Sequence, residues 1–214
     1  MIIGKYNKSV ILTYAGVVMA AAGIFLALDG LYIRYAVMLL IIAGICDLFD
    51  GKIARAVKRT EEEKSFGVQI DSLADMVDFV AFPVILLYCL TGDNKWYHYL
   101  IYIVYILGAV IRLGYFNITA EGRQTEEPVS HYSGLPVTYA AMIFPLTWLV
   151  SQLIPARVLP ANPDVFGQIV YPAVMLLTAA AFILNIKIAK PRGAAYIFLL
   201  LLAAGVITYI VFWA

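Results

Sequence analysis

Seven long apolar stretches run through the chain, at residues 9–28, 32–54, 67–91, 97–118, 135–154, 166–187 and 194–213. Short polar breaks separate them: Asp29-Gly30, the charged stretch 55–66, Gly92 to Trp96, Thr119 to Ser133, Pro155 to Val165 and Ala189 to Gly193. Each apolar stretch comes close to the roughly 20 residues an α-helix needs to cross the hydrocarbon of a bilayer. The pattern predicts an all-α, polytopic transmembrane bundle of about seven spans, six to eight being compatible with it. No internal repeat of the kind that builds inverted-repeat transporters is visible. Residues 1–214 are expected to form one membrane-embedded domain, with a core over about 9–154 and extra C-terminal spans over about 166–213.

Composition strengthens this. Of 214 residues, 63% are apolar and 14% charged, against about 25% charged in an average soluble domain. The net charge of +1 and the lack of a basic tail leave no nucleic-acid partner to expect; the lipid bilayer is the expected environment. Cys46 and Cys89 lie inside apolar runs and read as small buried side chains, not as a metal or disulfide framework. Lys5 and Lys8 precede the first run in the manner of a signal peptide, but the spans that follow favour a retained first helix.

Charge bias sets the orientation. With the N-terminus in the cytoplasm, the inside segments hold eleven cations (Lys5, Lys8, Lys52, Arg55, Lys58, Arg59, Lys64, Arg123, Lys187, Lys190 and Arg192), and the outside holds three, Arg34, Lys95 and Arg157. Arg112 falls within a span. Trp96, Tyr97, Tyr99 and Trp213, near the ends of spans, suit interfacial anchoring. The 55–66 stretch is thereby expected in the cytoplasm.

Five carboxylates then stand out. Asp47 and Asp50 close the second span, and Asp71, Asp75 and Asp78 lie in the third. A charge at membrane depth costs at least about 2.5–3.5 kcal/mol and usually marks function. Asp residues near helix ends can also cap helices or pair with loop lysines, but the spacing points elsewhere. Asp47 and Asp50 are three apart, Asp71 and Asp75 four apart, so each pair shares a helix face. Asp78 continues the second stripe. Two helices can present two carboxylates each into one gap, a set of hard oxygen ligands suited to Mg²⁺ or Mn²⁺, and two such ions can clamp a phosphoryl group. Gly51, Ala54 and Gly67 permit close approach beside them, and Arg55 suits a diphosphate. A different class, a proton or cation transporter using the aspartates as a relay, is compatible with intramembrane carboxylates alone.

Read together, Asp47-Leu-Phe-Asp50-Gly51-Lys-Ile-Ala54-Arg55, an eleven-residue spacer and Gly67-Val-Gln-Ile-Asp71-Ser-Leu-Ala-Asp75 resemble the signature of the CDP-alcohol phosphotransferases, at all eight fixed positions. The spacer is longer than is usual in that family. The resemblance implies transfer of a phosphatidyl group from CDP-diacylglycerol to a small alcohol with release of CMP, in a membrane enzyme that is usually a homodimer; the charge bias puts its expected site at the cytoplasmic face of the cell membrane. It implies two divalent cations, Mg²⁺ or Mn²⁺, on Asp47, Asp50, Asp71 and Asp75. Asp75 would also be the general base, and Gly51, Ala54, Arg55 and Gly67 would contact CDP. Thr13 occupies a place where the family often has a threonine near the nucleotide.

Three further segments look most like bacterial and archaeal phosphatidylserine synthases. They are Asp71-Ser72-Leu73-Ala74-Asp75-Met76-Val77-Asp78-Phe79, Arg112-Leu113-Gly114-Tyr115-Phe116-Asn117 and Tyr132-Ser133-Gly134-Leu135-Pro136. They favour L-serine as acceptor. Tyr115 stands where that family carries a second Arg, and Asp78 where it carries a hydroxyl residue. An added carboxylate could hold an ammonium, which serine and choline both carry. Choline, inositol phosphate and glycerol phosphate remain alternative acceptors. Asp78, Arg112, Asn117 and Lys64 are the candidate contacts to the acceptor or lipid phosphate. Arg112 could instead be structural, Asn117 a helix cap and Lys64 a solvated loop lysine. His98 and His131 read as structural.

Overall fold

The computed structural model describes residues 4, 7, 10–121, 131–154, 165–189 and 193–213, the side chains of 119–121, 131 and 132 excepted. Lys5, Lys8, Arg123, Arg157, Lys190 and Arg192 lie outside the described residues, and so does the side chain of His131. The helices are α1 (Ile11–Asp29), α2 (Ile33–Ala56), α3 (Glu61–Thr91), α4 (Trp96–Glu121), α5 (Val137–Leu153), α6 (Phe166–Ile183) and α7 (Ala194–Phe212). By length and composition, α1, α3, α4, α6 and α7 can cross a membrane. α2 has 24 residues but gathers Asp47, Asp50, Lys52 and Arg55 in its second half, and α5 is apolar but shorter. The chain is an integral membrane protein of helical, polytopic build.

Helix boundaries follow local chemistry. α1 stops at Gly30, whose left-handed φ of 71° lets its N–H reach the Ala27 carbonyl. α3 starts at Glu61, well before the apolar run that begins at residue 67. Thr60 and Glu63 form a reciprocal capping box, and three glutamates in the first turn complement the helix dipole. The expected long polar break at 55–66 therefore shrinks to Val57–Thr60.

Small residues let the helices close up. The buried face of α1 is Thr13, Gly16, Ala20, Gly23 and Ala27, a stripe with alternating three- and four-residue steps that brings α1 against α2 and α3. α2 packs also on α5 and α7, and α4 on α6.

Two prolines shape the bundle. Met76–Ala81 of α3 is a π-turn, closed by Phe82 N–H on the Val77 carbonyl. Pro83 follows and has no N–H for the Phe79 carbonyl four residues back. The hydroxyl of fully buried Tyr105 donates to that carbonyl at 2.7 Å, joining α4 to α3. α6 repeats the device, with a π-turn over Phe166–Val170 and Pro172 behind it. Here His98 approaches the Gln168 carbonyl through Nε2 at 3.4 Å, while its Nδ1 accepts from Lys95 N–H at 3.0 Å. His98 is a buried structural residue.

A short antiparallel ribbon accompanies the helices. β1 (His131–Ser133) pairs with β2 (Lys187–Ala189), His131 opposite Ala189. It joins the connections before α5 and before α7, both of which the charge bias assigns to one side of the membrane. Gly134, at φ 78°, turns the chain out of β1; a Cβ there would sit 2.6 Å from the Phe182 carbonyl.

Candidate active site

The aspartates converge from two helices. One carboxylate oxygen each from Asp47, Asp50 and Asp71 lies within 4.8 Å of the others. Asp75 and Asp78 line the same small cavity, outside that tight trio. At such a separation two unit charges repel by about 3–4 kcal/mol at an effective dielectric near 20. Among the described residues the aspartates make no ion pair; the pairs present, Lys64–Glu61 and Lys95–Asp93, lie elsewhere. A cluster of hard oxygen donors with no cation in ion-pair contact among the described residues fits a divalent metal ion.

Helix α1 forms the remaining wall. Thr13, buried in its first turn, donates its hydroxyl to Asp50 Oδ2 at 2.8 Å. Gly16, one turn on, faces Asp78, and a Cβ on it would stand 2.8 Å from Asp78 Oδ2. Asp78 is 3% exposed, and its Oδ1 has no hydrogen-bond partner. It sits in the π-turn of α3, a backbone irregularity frequent at functional sites.

A larger cleft of about 220 Å³ shares Asp47 with this cavity and runs between α2, α5 and α7. Its polar part carries Gly51, Arg55, Tyr139 and Tyr196, and its apolar part includes Leu199 and Leu200. Lys52 lies over the Tyr196 ring at 4.2 Å and over Phe49 at 4.9 Å, tying α7 to α2. The last C-terminal span, α7, thus supplies a wall of the cleft, which no motif in the sequence announces. Ala54 is half-buried on the same helix.

The other candidates lie around this centre. Asn117 Oδ1 accepts from Ser72 Oγ at 2.8 Å, beside Asp71. Arg112, 6% exposed, donates through Nε to the Leu135 carbonyl at 3.1 Å. That bond connects two of the three segments that resemble serine-using enzymes. Neither residue lines either cavity, and Lys64 pairs with Glu61 at 2.8 Å on the surface of α3. Gly16, Lys52, Tyr139 and Tyr196 were not legible as site residues. Gly16 stands in the small-residue stripe of α1, a sequence signal that could have suggested a close approach.

The family model for CDP-alcohol phosphatidyltransferases matches residues 6–214. The chain belongs to the CDP-alcohol phosphatidyltransferase family. It is 31% identical over 155 residues to the archaetidylserine synthase of Methanothermobacter thermautotrophicus, covering 71% of this chain and 63% of that protein. It is 31% identical over 118 residues to the CDP-diacylglycerol–serine O-phosphatidyltransferase of Helicobacter pylori strain J99, covering 55% and 47%. The enzyme of the same name from Saccharomyces cerevisiae is 27% identical over 117 residues, covering 52% and 41%. The chain therefore spans less than two thirds of the length of each of these relatives.

Proposed function

We propose that this protein transfers a phosphatidyl group from CDP-diacylglycerol to the hydroxyl of L-serine, giving phosphatidylserine and CMP. The observation that carries this reading is the convergence of the Asp47, Asp50 and Asp71 carboxylates beside a cleft that is polar at Arg55 and apolar at Leu199 and Leu200. That shape suits a lipid with a charged head. The relatives' names support serine: one names an archaetidyl product and the others a phosphatidyl transfer, while serine is common to all.

In this reading Asp47, Asp50, Asp71 and Asp75 hold two divalent ions, Mg²⁺ or Mn²⁺, which when bound neutralise charge on the diphosphate and on departing CMP. Asp75, outside the tight trio, takes the proton from the serine hydroxyl. The serine oxygen forms a bond to the lipid-bearing phosphorus, and the bridging P–O bond to CMP breaks. Gly51, Ala54, Arg55 and Gly67 border the nucleotide. Thr13 holds Asp50 in place and need not touch the nucleotide. Asp78 faces the acceptor, while Arg112 and Asn117 act one step back, through Leu135 and Ser72. The whole chain works as one domain, as a homodimer in the cell membrane with the site toward the cytoplasm.

The test is CMP release from CDP-diacylglycerol by the purified full-length protein, offered serine, choline, inositol phosphate and glycerol phosphate in turn, with lipid products read by mass spectrometry. Serine-dependent CMP release is expected, with loss on chelation by EDTA and recovery on adding Mg²⁺ or Mn²⁺. Asp75→Asn is expected to lower the rate by about 100-fold or more. Full activity in that variant would overturn the mechanism, and ion flux in place of CMP release would favour a transporter.

A further inference from the structure

Both glycines of the signature lie under an arginine. Arg55 Nη1 is 3.5 Å from the point where a Cβ on Gly51 would sit, and Arg59 Nη1 is 3.5 Å from the same point on Gly67. Arg55 belongs to the signature. Arg59 comes from the long spacer, on the short connection between Ala56, where α2 ends, and Glu61, where α3 begins. To reach Gly67 its side chain must fold back along the first turns of α3, and the Thr60–Glu63 capping box fixes the turn from which it starts.

Gly67 precedes Asp71 by four residues, so at 1.5 Å per residue the Arg59 guanidinium is held about 6 Å to the loop side of Asp71. Gly51 immediately follows Asp50 on the loop side of α2. The two arginines thus cover the two helices just beyond the carboxylates. Arg59 is half-buried and makes no hydrogen bond or ion pair among the described residues. Its charge acts on Glu63, but the Glu63 carboxylate already accepts the Thr60 N–H and hydroxyl. A guanidinium fork without a fixed partner, set beside a cluster that would otherwise repel an anion, is matched to phosphate oxygens.

We propose that Arg59 binds the diphosphate of the CDP-linked donor, opposite Arg55, so that each helix end contributes one guanidinium to its grip. This rests on the CDP-dependent transferase reading. The test compares wild type, Arg59→Ala, Arg59→Lys and Glu63→Gln as full-length proteins in detergent, measuring KM for CDP-diacylglycerol, KM for serine, kcat, and inhibition by free CDP. Arg59→Ala is expected to raise the donor KM and the CDP inhibition constant by about 10- to 100-fold, leaving the serine KM and saturated kcat near wild type. Lys, a point charge without the fork, should recover part of the loss. Glu63→Gln should match wild type.

Unchanged donor KM and CDP inhibition in Arg59→Ala would overturn the assignment, as would an equal loss for both substrates or a loss reproduced by Glu63→Gln. CMP release by wild type under those results leaves the transferase reading standing. A wild type that neither releases CMP nor is bound by CDP overturns both.

Discussion

Asp78 carries the least satisfied charge in the molecule among the described residues. It is buried, one oxygen has no partner, and the other lies where only a glycine at position 16 leaves room. A buried carboxylate in that state costs stability, and a cationic ligand would offset the cost. In the proposed reading the acceptor ammonium would be that ligand. Asp78→Asn is expected to raise the serine KM by about tenfold while leaving the CDP-diacylglycerol KM and the use of glycerol phosphate unchanged. The same change removes one of five crowded like charges, so the metal-free protein should melt at a higher temperature than wild type. An unchanged serine KM would remove Asp78 from the acceptor site. Arg112 and Asn117 stand outside both cavities, Arg112 donating to the Leu135 carbonyl and Asn117 accepting from Ser72. Lys64 does so too, because α3 starts early enough to place it three residues from Glu61 on one helix face.

At the scale of the element, α3 sets the geometry. Its π-turn and Pro83 interrupt the ordinary hydrogen-bond ladder within a helix that also carries Asp71, Asp75 and Asp78. The interruption is tolerated because Tyr105 supplies a donor to Phe79. Tyr105→Phe keeps the ring packing against Phe144 and Phe182 but strands that carbonyl. It should cost about 1–3 kcal/mol, read as a lower melting temperature in detergent, and should reduce CMP release through misplacement of α3. A melting temperature equal to wild type would mean that another group satisfies Phe79. The carboxylate pairs were legible on this helix from their spacing. The π-turn was not, because it depends on a donor from a helix that begins only at Trp96.

Across the whole molecule, the cation bias predicts a sidedness, while β1 and β2 place the connections before α5 and before α7 on one common face, whichever side that is. Lys58 and Lys95 flank α3 at its two ends. In a background lacking Cys46 and Cys89, cysteine at position 58 should react with a membrane-impermeant maleimide in inside-out vesicles only. Cysteine at position 95 should react in right-side-out vesicles only. The reverse pattern would put the active site outside. Large apolar side chains such as Leu107, Ile111, Leu201 and Phe212 are exposed around the bundle, as expected for surfaces that meet lipid rather than water.

The approximate placement of the apolar helices among the described residues was written in the sequence, because bilayer thickness fixes the length of an apolar run; α3 departs from it, starting at Glu61 ahead of its apolar run. The pairing of the aspartates on shared helix faces was written there too, since helical periodicity alone puts residues three and four apart on one face. What the sequence could not decide was distance between helices. Only the packed bundle brings Thr13 to Asp50 and Gly16 to Asp78. Only packing makes α7 a wall of the cleft, and only the folded connection before α3 lays Arg59 on Gly67. Those contacts join residues far apart along the chain or turn on the path of a loop, so no periodicity records them.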